Sequence, residues 1–156
     1  MAFVLILLAV ALVIGPVLWM KPSQGQARQA RIRLKARALG LDVRLTELPQ
    51  THRAAVRRED VRQGVVYRSV VYDPRTVIAL NHRLIRDADQ WEAEGDKLPP
   101  ALQGVLDQVS ANLPASVVAI ELGPQGPGVY WREVGDEPEV EQIAAQLKTL
   151  LAAMRV

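Results

Sequence analysis

The stretch of sequence that decides the fold is residues 116–134, S-V-V-A-I-E-L-G-P-Q-G-P-G-V-Y-W-R-E-V. Residues 116–122 and 129–134 are rich in β-branched and aromatic side chains, which favour strands. The glycines and prolines of residues 123–128 favour a turn between these strands. The pattern therefore predicts a β-hairpin with a six-residue loop, and a hairpin joins antiparallel strands.

A helix is predicted on each side of this hairpin. Pro99 and Pro100 open the first helix, and Pro114 ends it. Asp136 as N-cap, with Glu139 following it in the first turn, resembles a capping box and predicts the start of the second helix. Their apolar stripes are predicted at Leu102, Val105, Leu106, Val109 and Leu113, and at Val140, Ile143, Ala144, Leu147, Leu151 and Met154.

The part of the chain before these helices is dominated by predicted strands. Residues 41–48 alternate apolar and polar side chains, which predicts a half-buried strand, and residues 65–72 predict a central strand covered on both faces. Residues 50–63 are polar and arginine-rich, which indicates a loop or a short helix. Residues 76–91 fit either a strand or a helix, with an extended start slightly favoured, and residues 87–97 predict an acidic loop.

These elements place the chain in the α+β class. Residues 41–156 are expected to form a two-layer domain of mainly antiparallel sheet with helices on one face. A segment of this length is sufficient to bury one hydrophobic core.

An apolar segment precedes this domain. Residues 2–20 are uncharged and apolar, and a helix of about 20 such residues crosses a membrane, so residues 1–20 are predicted to be a transmembrane helix. The segment lacks the basic start and the small-residue site of a cleaved signal peptide. Residues 21–40 carry six positive charges and no acid. The positive-inside rule then predicts a single-pass bacterial inner-membrane protein with its N-terminus outside and a cytoplasmic domain.

Residues 21–40 are themselves predicted to form a basic juxtamembrane helix, with Ser23 as N-cap and Gly40 after its end. Such a helix can lie against anionic lipid headgroups; alternatively, its charges only set the topology and keep a connector solvated. Its narrow apolar stripe is predicted at Ala27, Ala30, Leu34, Ala38 and Leu41. The candidate membrane-surface residues are Trp19, Lys21, Arg28, Arg31, Arg33, Lys35 and Arg37.

The charges are segregated along the chain. The net charge of +2 is the balance of +10 over residues 21–86 and −8 over residues 87–156. This asymmetry suggests an anionic surface near the first half. The chain has no cysteine, which excludes disulfide scaffolds and cysteine-ligated zinc.

Residue patterns for catalysis or metal binding are missing from the sequence. His52 and His82 each precede an arginine and are expected to be exposed loop histidines. The acids of residues 87–96 do not have the spacing of a calcium-binding EF-hand, and the glycine-rich residues 123–128 lack the lysine of a phosphate-binding loop. We therefore expect no catalytic residue, no metal, no cofactor and no enzymatic activity.

The string Tyr130-Trp131-Arg132-Glu133 contains residue types that are enriched at binding hot spots. Side chains alternate along a strand, so one of the two aromatic residues is expected in the core and the other outside. Trp131 is favoured for the core, which leaves Tyr130 and Arg132 as candidate partner-binding residues.

The sequence G-P-V-L-W-M-K-P-S at residues 15–23, followed by a basic segment and by Gly-Leu-Asp-Val at residues 40–43, resembles the start of small single-pass bacterial inner-membrane proteins. Among these, it is similar to the YajC-type auxiliary subunits of the Sec translocase. The resemblance covers about residues 1–45, and it implies one span, a small cytoplasmic domain and an auxiliary role in translocation.

The function that these features favour is that of a membrane-anchored accessory or scaffold protein whose domain binds a protein partner. The alternative is binding of anionic lipid or nucleic acid through the basic helix, although few aromatic residues accompany its arginines for nucleic-acid stacking. The translocase role implied by the resemblance is the third hypothesis.

Overall fold

The structure is a computed structural model that describes residues 3, 4, 6, 7, 10, 12, 14, 23–88 and 90–155. It divides into a unit of residues 1–30 and a unit of residues 31–156. In the first unit, the described residues between positions 3 and 14 are helical, and Ser23 begins a helix by accepting a hydrogen bond from the Gln26 N–H (3.2 Å). All strands described below belong to the second unit.

Among the residues that the structure describes, no helix is both long enough and apolar enough to cross a membrane. This finding overturns the predicted transmembrane helix of residues 1–20 and the single-pass inner-membrane localisation that was deduced from it. Seven of those twenty residues are described, and the rest of the predicted span lies outside the described residues. The first continuous helix begins at Gln24 and carries five cations, which are costly to place in hydrocarbon.

The second unit is an α+β domain, in agreement with the predicted class. Within the described residues its strands form one six-stranded sheet, in which all neighbours are antiparallel and the order is β1-β2-β6-β5-β3-β4. The strands are β1 (Leu41–Glu47), β2 (Gln63–Ser69), β3 (His82–Asp87), β4 (Gln90–Gly95), β5 (Val117–Gly123) and β6 (Gly126–Trp131). The helices are α1 (Gln24–Ala38), α2 (His52–Val56), α3 (Pro100–Ala111) and α4 (Glu137–Met154), with a 3₁₀ turn at Pro74–Thr76.

The two faces of the sheet differ in what covers them. On one face, sheet residues such as Tyr67, Ile120 and Trp131 form the main core with buried residues of α1, α3 and α4. The opposite face carries a smaller cluster that includes no described residue of these three helices: Leu48, Val66, Ile85, Ala119 and Tyr130. We call this second face the open face.

Helix α4 begins as predicted, because the Glu139 carboxylate accepts a hydrogen bond from the Asp136 N–H (2.9 Å) in a capping box. Near its end Leu150, rather than the predicted Leu151, is fully buried. The predicted apolar stripe of α1 is wrong, since Leu34 is 70% exposed and the buried residues are Ile32 and Ala36.

The predicted hairpin exists with a shorter turn. Gly123 pairs with Gly126, so two residues rather than six connect β5 and β6. Gly126 adopts a φ of 101°, which is the left-handed region that a tight turn uses. Pro127 pairs with β5 but lies beyond the β2 register, so its missing N–H removes no bond to that neighbour.

Two further sequence predictions are corrected. The predicted acidic loop contains strand β4, which lies at an edge of the sheet and carries Glu92 and Glu94. His82 is buried in β3 rather than exposed in a loop, and its Nδ1 lies 2.7 Å from the carbonyl oxygen of Asp96. The ambiguous residues 76–91 contain strand β3, but the strand begins only at His82; at the start of the stretch, where an extended chain was slightly favoured, Thr76 ends the 3₁₀ turn and Val77 forms an isolated β-bridge.

Candidate functional site

The centre of the open face is occupied by the carboxylate of Glu121. Arg68 donates to its Oε1 (2.6 Å), while Arg83 (2.8 Å) and the Tyr130 hydroxyl (2.7 Å) donate to its Oε2. Burial disfavours the charged form of Glu121, but these hydrogen bonds outweigh burial and lower its pKa to about 2. The network therefore pairs the Glu121 carboxylate with two arginines of the domain itself, and it links β2, β3, β5 and β6.

One end of the open face is covered by residues 48–62, which we call the cover segment. The Leu48 side chain lies over Gly64, where a Cβ would overlap it, and the Leu48 N–H donates to the Arg62 carbonyl (2.8 Å). Thr51 caps the short helix α2 by accepting from the Ala54 N–H (3.3 Å). Helix α2 buries no side chain, so the cover segment is attached mainly through Leu48.

A cleft of about 720 Å³ lies between the cover segment and the ends of β3, β5 and β6. Leu48, Ile85 and Val118 supply its apolar floor, and charged side chains supply most of its rim. Its lining residues are Leu48, Pro49, Gln50, Thr51, Ala54, Arg58, Glu59, Asp60, Arg62, Ile85, Arg86, Asp87, Ala88, Val118 and Arg132. A smaller depression of about 380 Å³, lined by His52, Arg53, Gln90, Trp91 and Glu92, shares Asp87 with the cleft.

The arginines of the cleft differ in whether their guanidinium groups have partners within the domain. Arg86 donates to the Pro114 carbonyl (3.2 Å) and lies 4.5 Å from the centre of the Trp91 ring. In contrast, the side chains of Arg58, Arg62 and Arg132 form no ion pair with any residue that the structure describes. The cleft therefore presents three exposed arginine side chains that form no ion pair with a described residue.

The acids of the cleft are partly engaged. Asp87 lies 3.8 Å from Arg53, and Glu59 lies 3.8 Å from Arg57. Each of these pairs is solvent-exposed, and exposed pairs of this kind stabilise a protein little. An incoming charged group can therefore compete with them at low energetic cost.

The two candidate partner-binding residues have different positions. Tyr130 lies on the open face but is only 8% exposed, because its hydroxyl is bonded to Glu121 and Arg83 lies over its ring at 5.8 Å. Trp131 is fully buried on the face of the sheet that packs against α1, α3 and α4, which we call the helix side. Both aromatic residues are therefore covered, against the expectation that one is outside. Arg132 is exposed and lines the cleft.

The candidate membrane-surface residues fall into three groups. Trp19 and Lys21 lie outside the described residues, and Arg28 lies in the first unit. Arg31 and Arg37 are exposed on α1. Arg33 and Lys35 bind Glu133 (2.6 Å) and Glu141 (2.7 Å) of the same domain, and these hydrogen bonds raise the pKa of each basic side chain.

Sequence reasoning missed Arg58, Arg62 and Asp87 as members of a site. The arginine-rich composition of residues 50–63 was the available signal, and it indicated only a polar loop or short helix. Asp87 belongs to the stretch that was predicted to be an acidic loop. These positions and Arg132 belong to separate segments of the chain, and only the folded domain brings them together around the cleft. The described residues contain no group of three or more histidines and acids arranged to hold a metal ion.

No protein-family model, curated protein or solved structure matches the chain. The resemblance of residues 1–45 to translocase auxiliary subunits therefore stays a prediction.

Proposed function

We propose that the α+β domain is a protein-binding module and that the cleft beneath the cover segment receives the partner. The observation that carries this proposal is the combination, in one cleft, of an apolar floor with the side chains of Arg58, Arg62 and Arg132, which form no ion pair with a described residue. Arginine is one of the residue types enriched at the hot spots of protein interfaces. An accessory or scaffold role follows from such a module.

The helix side of the domain offers less for a partner. The main core fills the space between the sheet and helices α1, α3 and α4. The cleft lies on the other face, where a short helix without buried side chains forms one wall. A binding surface with one lightly attached wall can adjust to a partner without disturbing the core.

Binding of nucleic acid through α1 is the alternative hypothesis. Arg31 and Arg37 favour it because they are exposed and have no ion pair among the described residues. Arg33 and Lys35 count against it, since their charges are already paired with Glu133 and Glu141. Replacing Arg31 and Arg37 by glutamine tests it: retention of all nucleic-acid binding by this variant would dispose of the alternative.

The proposal is tested by filling the cleft. Ala54 lines the cleft on α2, and the exposed Ala152 lies on α4 at the helix side, so the same substitution at both positions gives a matched pair. After crosslinking in cells, we expect wild type and Ala152→Trp to recover the same partner protein. Ala54→Trp should recover about tenfold less, because the indole occupies the space the partner needs. Equal recovery by both variants, or no reproducible partner of the wild type, would contradict the proposal.

A further inference from the structure

We infer that the partner enters the cleft as a segment in which acidic side chains flank apolar ones, its carboxylates binding Arg58, Arg62 and Arg132. This inference rests on the proposed function and names the chemistry of the partner.

The charges of the cleft complement those of an acidic segment. Three guanidinium groups line one cleft, and none of them has an acidic partner among the residues that the structure describes. A guanidinium group binds a carboxylate through two parallel hydrogen bonds, which gives both affinity and orientation. A partner that supplies carboxylates can therefore bind the three guanidinium groups, which form no ion pair within the described part of the domain.

The floor of the cleft is apolar. Val118 is partly exposed and packs against the cluster that contains the buried Leu48 and Ile85, so an apolar side chain entering here can contact Val118. In an extended peptide, side chains alternate between two sides. A peptide that alternates acidic and apolar residues can thus place one set on the floor and the other at the arginine rim.

The lining of the cleft favours a peptide over a nucleic acid. Glu59, Asp60 and Asp87 also line the cleft, and they repel a ligand that carries a charge on every nucleotide. No described lining residue is aromatic, so bases would find no side chain on which to stack. A peptide can place single carboxylates beside the arginines and neutral groups beside the acids.

The test uses three fluorescently labelled probes and the full chain. The probes are a short peptide of alternating glutamate and leucine, its counterpart with glutamine for glutamate, and a single-stranded oligonucleotide. The variants are Arg58→Gln, Arg62→Gln and Arg132→Gln, with Arg57→Gln as matched control. Arg57 is exposed and adjacent to Arg58 but does not line the cleft.

We expect the glutamate peptide to bind at least about tenfold more tightly than the glutamine peptide and the oligonucleotide. Each cleft variant should lose about tenfold in affinity for it, whereas Arg57→Gln should bind like wild type. Equal binding of the two peptides, preference for the oligonucleotide, or an equal loss in Arg57→Gln would overturn the inference. If these results occur while Ala54→Trp still loses the crosslinked partner, the proposed function stands and only the acidic chemistry fails.

Discussion

Glu133 shows how a single residue fixes the position of a helix. It is 3% exposed and adopts a φ of 55°, a left-handed conformation that costs a non-glycine residue about 1 kcal/mol. Its carboxylate accepts two hydrogen bonds from Arg33 (2.8 and 2.6 Å) and one from the Tyr67 hydroxyl (2.7 Å). Burial and the bond to Glu133 raise the pKa of Tyr67 well above its usual value. These bonds hold α1 on the sheet.

Replacing Glu133 by glutamine should lower the free energy of unfolding by roughly 3 kcal/mol, because the change leaves a partly buried guanidinium without its counter-charge. Urea denaturation measures the difference. Glu141→Gln is the matched control, since Glu141 pairs with Lys35 of the same helix at the surface and should change stability little. Equal losses in both variants would refute the special role of Glu133.

Glu121 predicts a pH dependence. Its pKa falls from an ordinary value of 4.5 to about 2 on folding, so the ionised carboxylate stabilises the fold at neutral pH. That contribution is complete above about pH 4.5 and is lost as the pH falls towards about 2. The gap in unfolding free energy between wild type and Glu121→Gln should therefore narrow over this interval. A gap that stays constant from pH 6 to pH 2 would contradict the assigned network.

Among the elements, the cover segment depends on one glycine of the neighbouring strand. The Leu48 side chain occupies the space above Gly64, and a methyl group there would displace it. We expect Gly64→Ala to cost about 1–3 kcal/mol and to loosen the cover segment, as overpacking of a filled site does. Gly104 in α3 is the control, because nothing lies within 4 Å of its Cβ position and alanine there should stabilise the helix by about 1 kcal/mol. If unfolding measurements showed that both substitutions change the free energy of unfolding in the same direction, the packing of Leu48 on Gly64 would be refuted.

Elements with local signals were predictable from the sequence, and elements with distant partners were not. The capping box of Asp136 and Glu139 identified the start of α4, and the turn residues identified the hairpin. Strand β4 was missed because an edge strand can carry charged side chains that look like a loop. The buried face of α1 was missed because Arg33 is held by a glutamate 100 residues later in the chain. The cleft was missed because its lining residues also come from segments that are far apart in the sequence.

At the scale of the whole molecule, the basic and acidic halves of the sequence form ion pairs with each other. Five of the eight ion pairs between described residues join a base of residues 21–86 to an acid of residues 87–156. Acids of residues 87–156 therefore neutralise part of the positive charge of residues 21–86 within the fold. Arg58, Arg62 and Arg132 form none of these ion pairs, so their side chains remain available to a partner in the cleft that they line.

Photo-crosslinking from single positions in cells tests whether the cleft is the binding surface. A photoreactive residue at Asp60, which is exposed and lines the cleft, is compared with one at Gln108 of α3 and one at Lys148 of α4, both exposed on the helix side. We predict that position 60 forms a specific adduct with a partner protein and that positions 108 and 148 do not. An equal adduct from the helix side, or none from position 60, would contradict the assignment of the cleft as the binding surface.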